Sequence, residues 1–167
     1  MSYVIADADV LIDLAEQTLT LPKKNKFYLI SSGKNGIGET ENSGTTPRGW
    51  HLVAEKHGAE QPQNAVFIAR KPTGEVYDTD LAKQFPERDW ILSRILWLSG
   101  LEEGFNRGEG CDTYQRYIYI HGTPDSEPMG MPMSHGCIRM RNTDVIELFE
   151  LIDCNALVYI SEHKLEL

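Results

Sequence analysis

Nowhere in the 167 residues does an apolar run approach the ~20 residues that a membrane-crossing helix needs. The chain is therefore read as having no membrane span. Basic residues are in the minority: 16 Lys and Arg stand against 25 Asp and Glu, a formal net charge of −9. That balance argues against nucleic acid and against an anionic membrane surface as partner. Cysteine is scarce. Cys111, Cys137 and Cys154 form no Cys-x-x-Cys pair, and an odd count leaves at least one thiol free. With Cys137 set aside, Cys111 and Cys154 are the pair left to bridge, and spacing does not decide whether they do. The first nine residues lack a basic n-region and are broken by aspartates, so they do not read as a signal peptide. The chain as written is expected in the cytoplasm, unless a signal was removed ahead of this numbering. Repeats, low-complexity tracts and linkers are also missing, so residues 1–167 read as one domain. A chain of this length buries roughly two-thirds of its unfolded surface without needing disulfide staples.

What is present is a series of short strand patterns. Val10, Ile12 and Leu14 alternate with Leu11 and Asp13. Thr18–Leu21 and Phe27–Ser31 follow across a Pro22–Lys26 turn, which suggests an antiparallel meander. Residues 33–49 turn to glycine, asparagine, serine and threonine. This long loop is read either as plain surface or as substrate contact. Trp50–Ala54 and Ala65–Ala69 resume strands, and His51 and His57 read as ordinary exposed or strand-edge histidines. Asp89–Leu101 is almost wholly apolar and fits a buried strand or a short buried helix. Gly100–Gly110 is a loop. Tyr117–Ile120 is a strand that delivers His121, and the loop from Gly122 to Met133 brings the chain back. Asn142-Thr143-Asp144 opens a helix, with Asp144 and Glu147 at capping-box spacing. Val145, Leu148, Phe149 and Ile152 form its buried stripe, Glu147 and Glu150 face away, and it ends near Cys154-Asn155. Ala156–Ile160 is a last strand. The expected fold is mainly β, two packed sheets in a sandwich-like arrangement with one C-terminal helix.

The chemistry concentrates in Ser134-His135-Gly136-Cys137-Ile138-Arg139. His121 lies sixteen residues before the cysteine, in Tyr119-Ile120-His121-Gly122-Thr123. Cys137 is the natural nucleophile of this set. A free thiol has a pKa near ~8.5, and a nearby imidazole or a set of backbone N–H groups raises its thiolate fraction. Gly136 lets the backbone pass close to a substrate carbonyl, and the N–H groups around Gly136 and Cys137 suit a developing oxyanion. On these residues alone three readings stay open. One is a cysteine acyltransferase. The second is a zinc site in which His121, His135 and Cys137 take a fourth ligand such as Asp125 or Cys111. The third is a tight structural turn with hydrogen-bonded histidines.

This stretch resembles the active-site signature of the L,D-transpeptidases, the YkuD-like catalytic domain of bacterial cell-wall enzymes. That signature is a histidine, a gap, then Ser/Thr-His-Gly-Cys, a hydrophobic residue and Arg or Asn. A second block, Ser32-Gly33-Lys34-Asn35-Gly36 followed by Thr45-Thr46-Pro47-Arg48-Gly49, is similar to the family's S-G-K … T-P-x-G segment. The similarity runs from about Asp13 to Ile160. It implies Cys137 as nucleophile and His121 as its base, with the Gly122 carbonyl orienting the imidazole. It implies His135 and Gly136 around the oxyanion, although His135 also has a mainly structural reading. Arg139 either supports the pocket or meets a substrate carboxylate, and Ser134 either meets substrate or serves as a turn residue. The implied fold is a β-sandwich with a few helices and the cysteine in a groove under a loop. The implied reaction forms a thioester on a peptidoglycan tetrapeptide stem, releases D-alanine, and passes the acyl group to an amine or to water. The resemblance implies no metal and no organic cofactor. It implies the periplasm or cell envelope, which conflicts with the missing signal peptide. A reading from another class is a non-catalytic wall-binding domain that keeps the fold; the intact His121 and Cys137 argue against it.

Overall fold

The computed structural model describes residues 2–166; Met1 and Leu167, the two ends of the single domain read above, lie outside the described residues. The expected meander is present. β1 (Val10–Asp13), β2 (Thr18–Leu21) and β3 (Lys26–Leu29) pair antiparallel in chain order. β4 (Gly49–His57), β5 (Ala65–Ile68), β6 (Lys71–Val76), β7 (Ile91–Gly100), β8 (Tyr119–Gly122), β9 (Ile138–Met140) and β10 (Leu157–Ser161) complete the strands. β10 lies parallel to β1, with Val10 against Val158, so the first and last strands sit side by side in mid-sheet.

The strands join into one hydrogen-bonded sheet, in the order β3-β2-β1-β10-β4-β7-β5-β6, with β8 on β7 and β9 on β8. The chain is mainly β as expected, but its two layers are not separate sheets. β7 is the reason: it pairs with β4, β5 and β8, which links everything into one curled surface. The Asp89–Leu101 ambiguity resolves as this strand. Leu96 and Leu98 enter the main core, and Ile95 and Trp97 enter a second cluster on the opposite face. Burial on both faces erases alternation, so neither period stood out. Strand β6 and the six-residue helix α1 (Thr79–Gln84), which has Asp78 as N-cap, had no apolar pattern to announce them.

Helix α2 (Asn142–Leu151) packs its Val145, Leu148 and Phe149 stripe, with Ile152, into the main core beneath β7 and β8. Its cap differs from expectation. Arg141 is the N-cap and makes no side-chain cap bond, and Glu147 accepts the Tyr28 hydroxyl at 2.5 Å instead of reaching back along the helix. Asn142 is buried: its amide donates to the Thr123 carbonyl at 2.8 Å, and its oxygen accepts from Ser93 Oγ at 2.6 Å. The helix stops at Leu151, and Asn155 takes the left-handed conformation in the turn that follows.

His51 corrects the sequence reading. It is fully buried in β4, its Nδ1–H donates to the Gly49 carbonyl at 3.0 Å, and Nε2 accepts from Thr113 Oγ1 at 2.9 Å. Burial pushes its pKa down to about 4. An unfolded chain takes this proton near 6.5, and the folded chain refuses it until about pH 4. Stability held above pH 6.5 is therefore lost as the pH falls through that window, on the order of 3 kcal/mol when complete. Urea unfolding measured from neutral pH to about pH 4.5 should show this loss. His51→Gln, which cannot take the proton, should lose less over the same range. Equal losses in the two proteins would contradict the assignment.

Candidate active site

Strands β8 and β9 run parallel in register, Ile120 against Ile138, His121 against Arg139 and Gly122 against Met140. Ile120, Ile138 and Met140 are fully buried in the main core with α2. Side chains alternate along a strand, so Tyr119, His121, Cys137 and Arg139 share the opposite face. There Cys137 packs against the cluster of Trp97, Tyr119, Ile95 and Phe67.

A bulge in β7 fixes the end of β8. Leu92 pairs with Gly122 and Ile95 with His121, so Ser93 and Arg94 are extra residues on the β7 side. Ser93 takes a left-handed φ of +71°. Its hydroxyl is held between the Asn64 N–H at 2.9 Å and Asn142 at 2.6 Å. Bulges of this kind re-aim neighbouring side chains. Gly122 closes the corner, since a Cβ there would lie 2.4 Å from Asn142 Oδ1 and 2.6 Å from the Leu92 carbonyl oxygen.

His121 is 1% exposed, and its Nδ1 lies 2.6 Å from the Gly122 carbonyl oxygen. A carbonyl only accepts, so Nδ1 carries the hydrogen and Nε2 keeps its lone pair. Burial holds the imidazole pKa below the usual histidine value. The Cys137 thiol donates to the Tyr117 carbonyl and its sulfur accepts the Tyr119 N–H, each at 3.3 Å. Tyr117, at φ +57°, makes the turn that brackets the sulfur. Burial pushes the thiol up to about 12, with Asp89 adding to the rise and the Tyr119 N–H, Arg139 and Arg116 opposing it. The sequence suggested a thiol with an enlarged thiolate fraction; the resting pair is instead a neutral thiol and a neutral imidazole.

The two motif blocks meet. Ser31 exchanges both backbone hydrogen bonds with Arg139 at 2.9 Å, and Ser134 N–H donates to the Ser32 carbonyl. Thr46 Oγ1 donates to the Gly136 carbonyl and accepts the Gly33 N–H, both at 2.8 Å. The inner part of the 33–49 loop is thus fastened under the cysteine turn. Gly136 sits at φ +126°, and a Cβ on it would come 3.2 Å from the Thr45 carbonyl oxygen; only glycine takes this position without strain. Ser134 acts within the turn: its hydroxyl donates to the Cys137 carbonyl at 2.5 Å and accepts the Gly136 N–H at 3.1 Å.

His135 is exposed and its Nδ1 meets Asp89 at 3.1 Å. Arg139 is buried. It meets Asp89 at 3.3 Å, the Met133 carbonyl at 3.2 Å and Glu127 at 3.6 Å, while among the described residues its buried Nε has no hydrogen-bond partner. Asp89 and Arg116 were not singled out in the sequence, and Thr46 was named only within the second motif block. An acid directly ahead of an apolar run was the one local sign of Asp89. Cys111 and Cys154 are free thiols, and Cys154 is exposed. Among the described residues no group of three or more His, Cys, Asp or Glu side chains is disposed to hold a metal, so the zinc reading finds no ligand set.

The L,D-transpeptidase catalytic domain family (YkuD) matches residues 7–160. A 47-residue segment is 44% identical to YqjB of Bacillus subtilis (strain 168), provisionally named an L,D-transpeptidase; it spans 28% of this chain and 27% of YqjB. The L,D-transpeptidase (residues 123-326) from Xylanimonas cellulosilytica DSM 15894 shares the fold, with a TM-score of 0.50 and 21% identity, over 91% of this chain and 59% of that one. L,D-transpeptidase 3 from Mycobacterium tuberculosis, solved with a faropenem-derived adduct, does so with a TM-score of 0.55 and 15% identity, over 92% and 59%. The chain therefore spans less than two-thirds of each of these proteins.

The three thiols should separate by access and by thiolate character. Iodoacetamide at neutral pH, followed by peptide mapping, should modify exposed Cys154 first and Cys137 last. Cys137 reacting first would mean that its thiol is ionised at rest.

Proposed function

The chain belongs to the L,D-transpeptidase catalytic domain family, and from that premise we propose that it is a cysteine-dependent acyltransferase acting on peptidoglycan stem peptides. The observation that carries this reading is the shared face of His121 and Cys137, with the His121 Nδ1–H committed to the Gly122 carbonyl. That bond leaves Nε2 as a base, and low basicity keeps it unprotonated at neutral pH.

In the proposed reaction Cys137 attacks the carbonyl of the L-centre of diaminopimelate in a tetrapeptide stem. Its S–H proton passes to His121 Nε2 as the S–C bond forms. With the Gly136 N–H turned to Ser134 Oγ, the Cys137 N–H is the main-chain donor we assign to the developing oxyanion. The C–N bond then breaks, the departing nitrogen takes the proton back from His121, and D-alanine leaves a thioester on Cys137. An amine of a second stem gives its proton to His121 and attacks the thioester, which forms a 3→3 cross-link and frees the thiol. Water in place of the amine makes the same site an L,D-carboxypeptidase. His135 and Gly136 shape the turn beside the oxyanion. Arg139, engaged by Asp89 and Glu127, supports the pocket rather than meeting substrate. A strained cyclic amide offers the same carbonyl with ring opening in place of a leaving amine, so a carbapenem is a fitting covalent probe of Cys137.

Incubation with muropeptides and mass analysis of the products tests the reading. Wild type should release D-alanine, and the products separate transfer from hydrolysis. Cys137→Ala should release none while remaining folded, and His121→Ala should be slower by at least ~10²-fold, the usual scale for a positioned base. Wild-type rates in Cys137→Ala would contradict the mechanism. Tight muropeptide binding by wild type without D-alanine release would favour a non-catalytic wall-binding domain.

A further inference from the structure

A cavity of about 380 Å³ opens beside the cysteine turn, lined by Arg116, Tyr117, Ile118, His135, Asn42 and Gly44 among others. Arg116 is the cation in its wall. It is half-buried, and its guanidinium donates to two backbone carbonyls, Thr45 at 2.6 Å and Gly38 at 3.3 Å. Among the described residues no carboxylate lies within ion-pair distance of it, although Glu41 lines the same cavity. An arginine has five N–H donors in a planar fork, and these two bonds leave the fork incompletely used.

The position of Arg116 is tied to the reacting sulfur on two sides. Along the chain it precedes Tyr117, whose carbonyl receives the Cys137 S–H. Across the cavity it holds the Thr45 carbonyl, which abuts Gly136. Its charge is felt at Cys137, where it opposes the rise of the thiol pKa. Two other cations near the site are committed elsewhere. Arg139 is ion-paired, and Arg70 lies over the Trp97 and Tyr117 rings with a bond to Tyr119 Oη.

We propose that Arg116 receives the terminal carboxylate of the donor stem peptide, on the leaving side of the scissile bond. The inference rests on the acyl-transfer reading above and adds the chemistry that selects the donor. The leaving residue's carboxylate is one residue past the carbonyl that Cys137 attacks, and consecutive Cα atoms are about 3.8 Å apart. Its receptor must therefore lie close to the cysteine, and the Arg116 cavity is walled by Tyr117, whose carbonyl accepts the Cys137 S–H, and by His135 of the cysteine turn. A guanidinium fork suits a carboxylate in two-point contact, and half-burial strengthens that contact relative to open solvent. The subsite gives a net-acidic chain a cation for an anionic peptide, in a cavity whose wall also carries Glu41.

The experiment compares two donors, a tetrapeptide stem with a free C-terminal carboxylate and the same stem as its C-terminal amide. Release of D-alanine or D-alaninamide is measured for wild type, Arg116→Gln and Arg116→Lys. Wild type should favour the acid by roughly 10- to 100-fold in kcat/KM, the range of a charge-assisted hydrogen-bonded pair. Arg116→Gln should bring the acid-to-amide ratio down to about one. Arg116→Lys should keep part of the preference, because it keeps a point charge but loses the fork. No preference in wild type, or equal slowing of both donors in Arg116→Gln, overturns the subsite and reduces Arg116 to a tie between loops. If Arg116→Gln does not fold, the wild-type ratio and Arg116→Lys decide the question. Wild type that releases neither product overturns the acyl-transfer reading itself, a result distinct from failure of the subsite.

Discussion

The in-register burial of Ile120 against Ile138 is the constraint from which the site follows. Both side chains are fully buried in the core that α2 covers. A one-residue slip of β9 would turn a buried isoleucine outward and an arginine inward, so the register is strongly held. Because those two residues face the core, Tyr119 and His121 on one strand and Cys137 and Arg139 on the other must face away from it. The reactive pair is thus oriented by apolar burial rather than by any bond between its members. The bulge at Ser93 and Arg94, locked through Asn142, finishes the job by fixing where β8 ends and where the Gly122 carbonyl points.

The electrostatics follow from that burial. A cysteine and a histidine in a poorly solvated site share no ion pair at rest, because both charged forms are disfavoured. The Gly122 bond fixes one imidazole tautomer, so the proton has one direction to travel. Asp89 sits near both groups and binds His135 and Arg139 together, which offsets the arginine charge that favours a thiolate. In the proposed reaction charge is then generated only as the sulfur meets a carbonyl, where the Cys137 N–H and the imidazole compensate it.

How much of this was legible in the sequence depended on whether a signal was local. The Ser134–Arg139 stretch, His121 and the Gly33–Gly49 block stood out because chemistry and backbone conformation demand rare residue types there. β2 and the α2 stripe were readable because one more deeply buried face imposes a period. β7 was not decided, since burial on both faces removes alternation. β9 is three residues long and its pattern is swamped by the motif it follows. His51 was misread because nothing local in the Trp50–Ala54 strand signals the Gly49 and Thr113 partners of the buried imidazole. Asp89 and Arg116 reach the site only through sheet closure and loop docking, and no spacing rule connects them to Cys137. The single sheet in place of two packed ones has the same origin: the triple pairing of β7 is a long-range fact.

The account turns on a neutral thiol that loses its proton to His121 only during attack. The direct measurement is the rate at which a carbapenem acylates Cys137, followed by intact mass across about pH 5 to 9, with the adduct located by peptide mapping. With the thiol raised to about 12 and the imidazole lowered below its ordinary 6.5, the rate should be level from neutrality upward. It should fall only at acidic pH where His121 takes a proton, and the adduct should lie on Cys137 alone. A rate that climbs about tenfold with each pH unit through that range, as a nucleophile drawn from free thiolate requires, would contradict it.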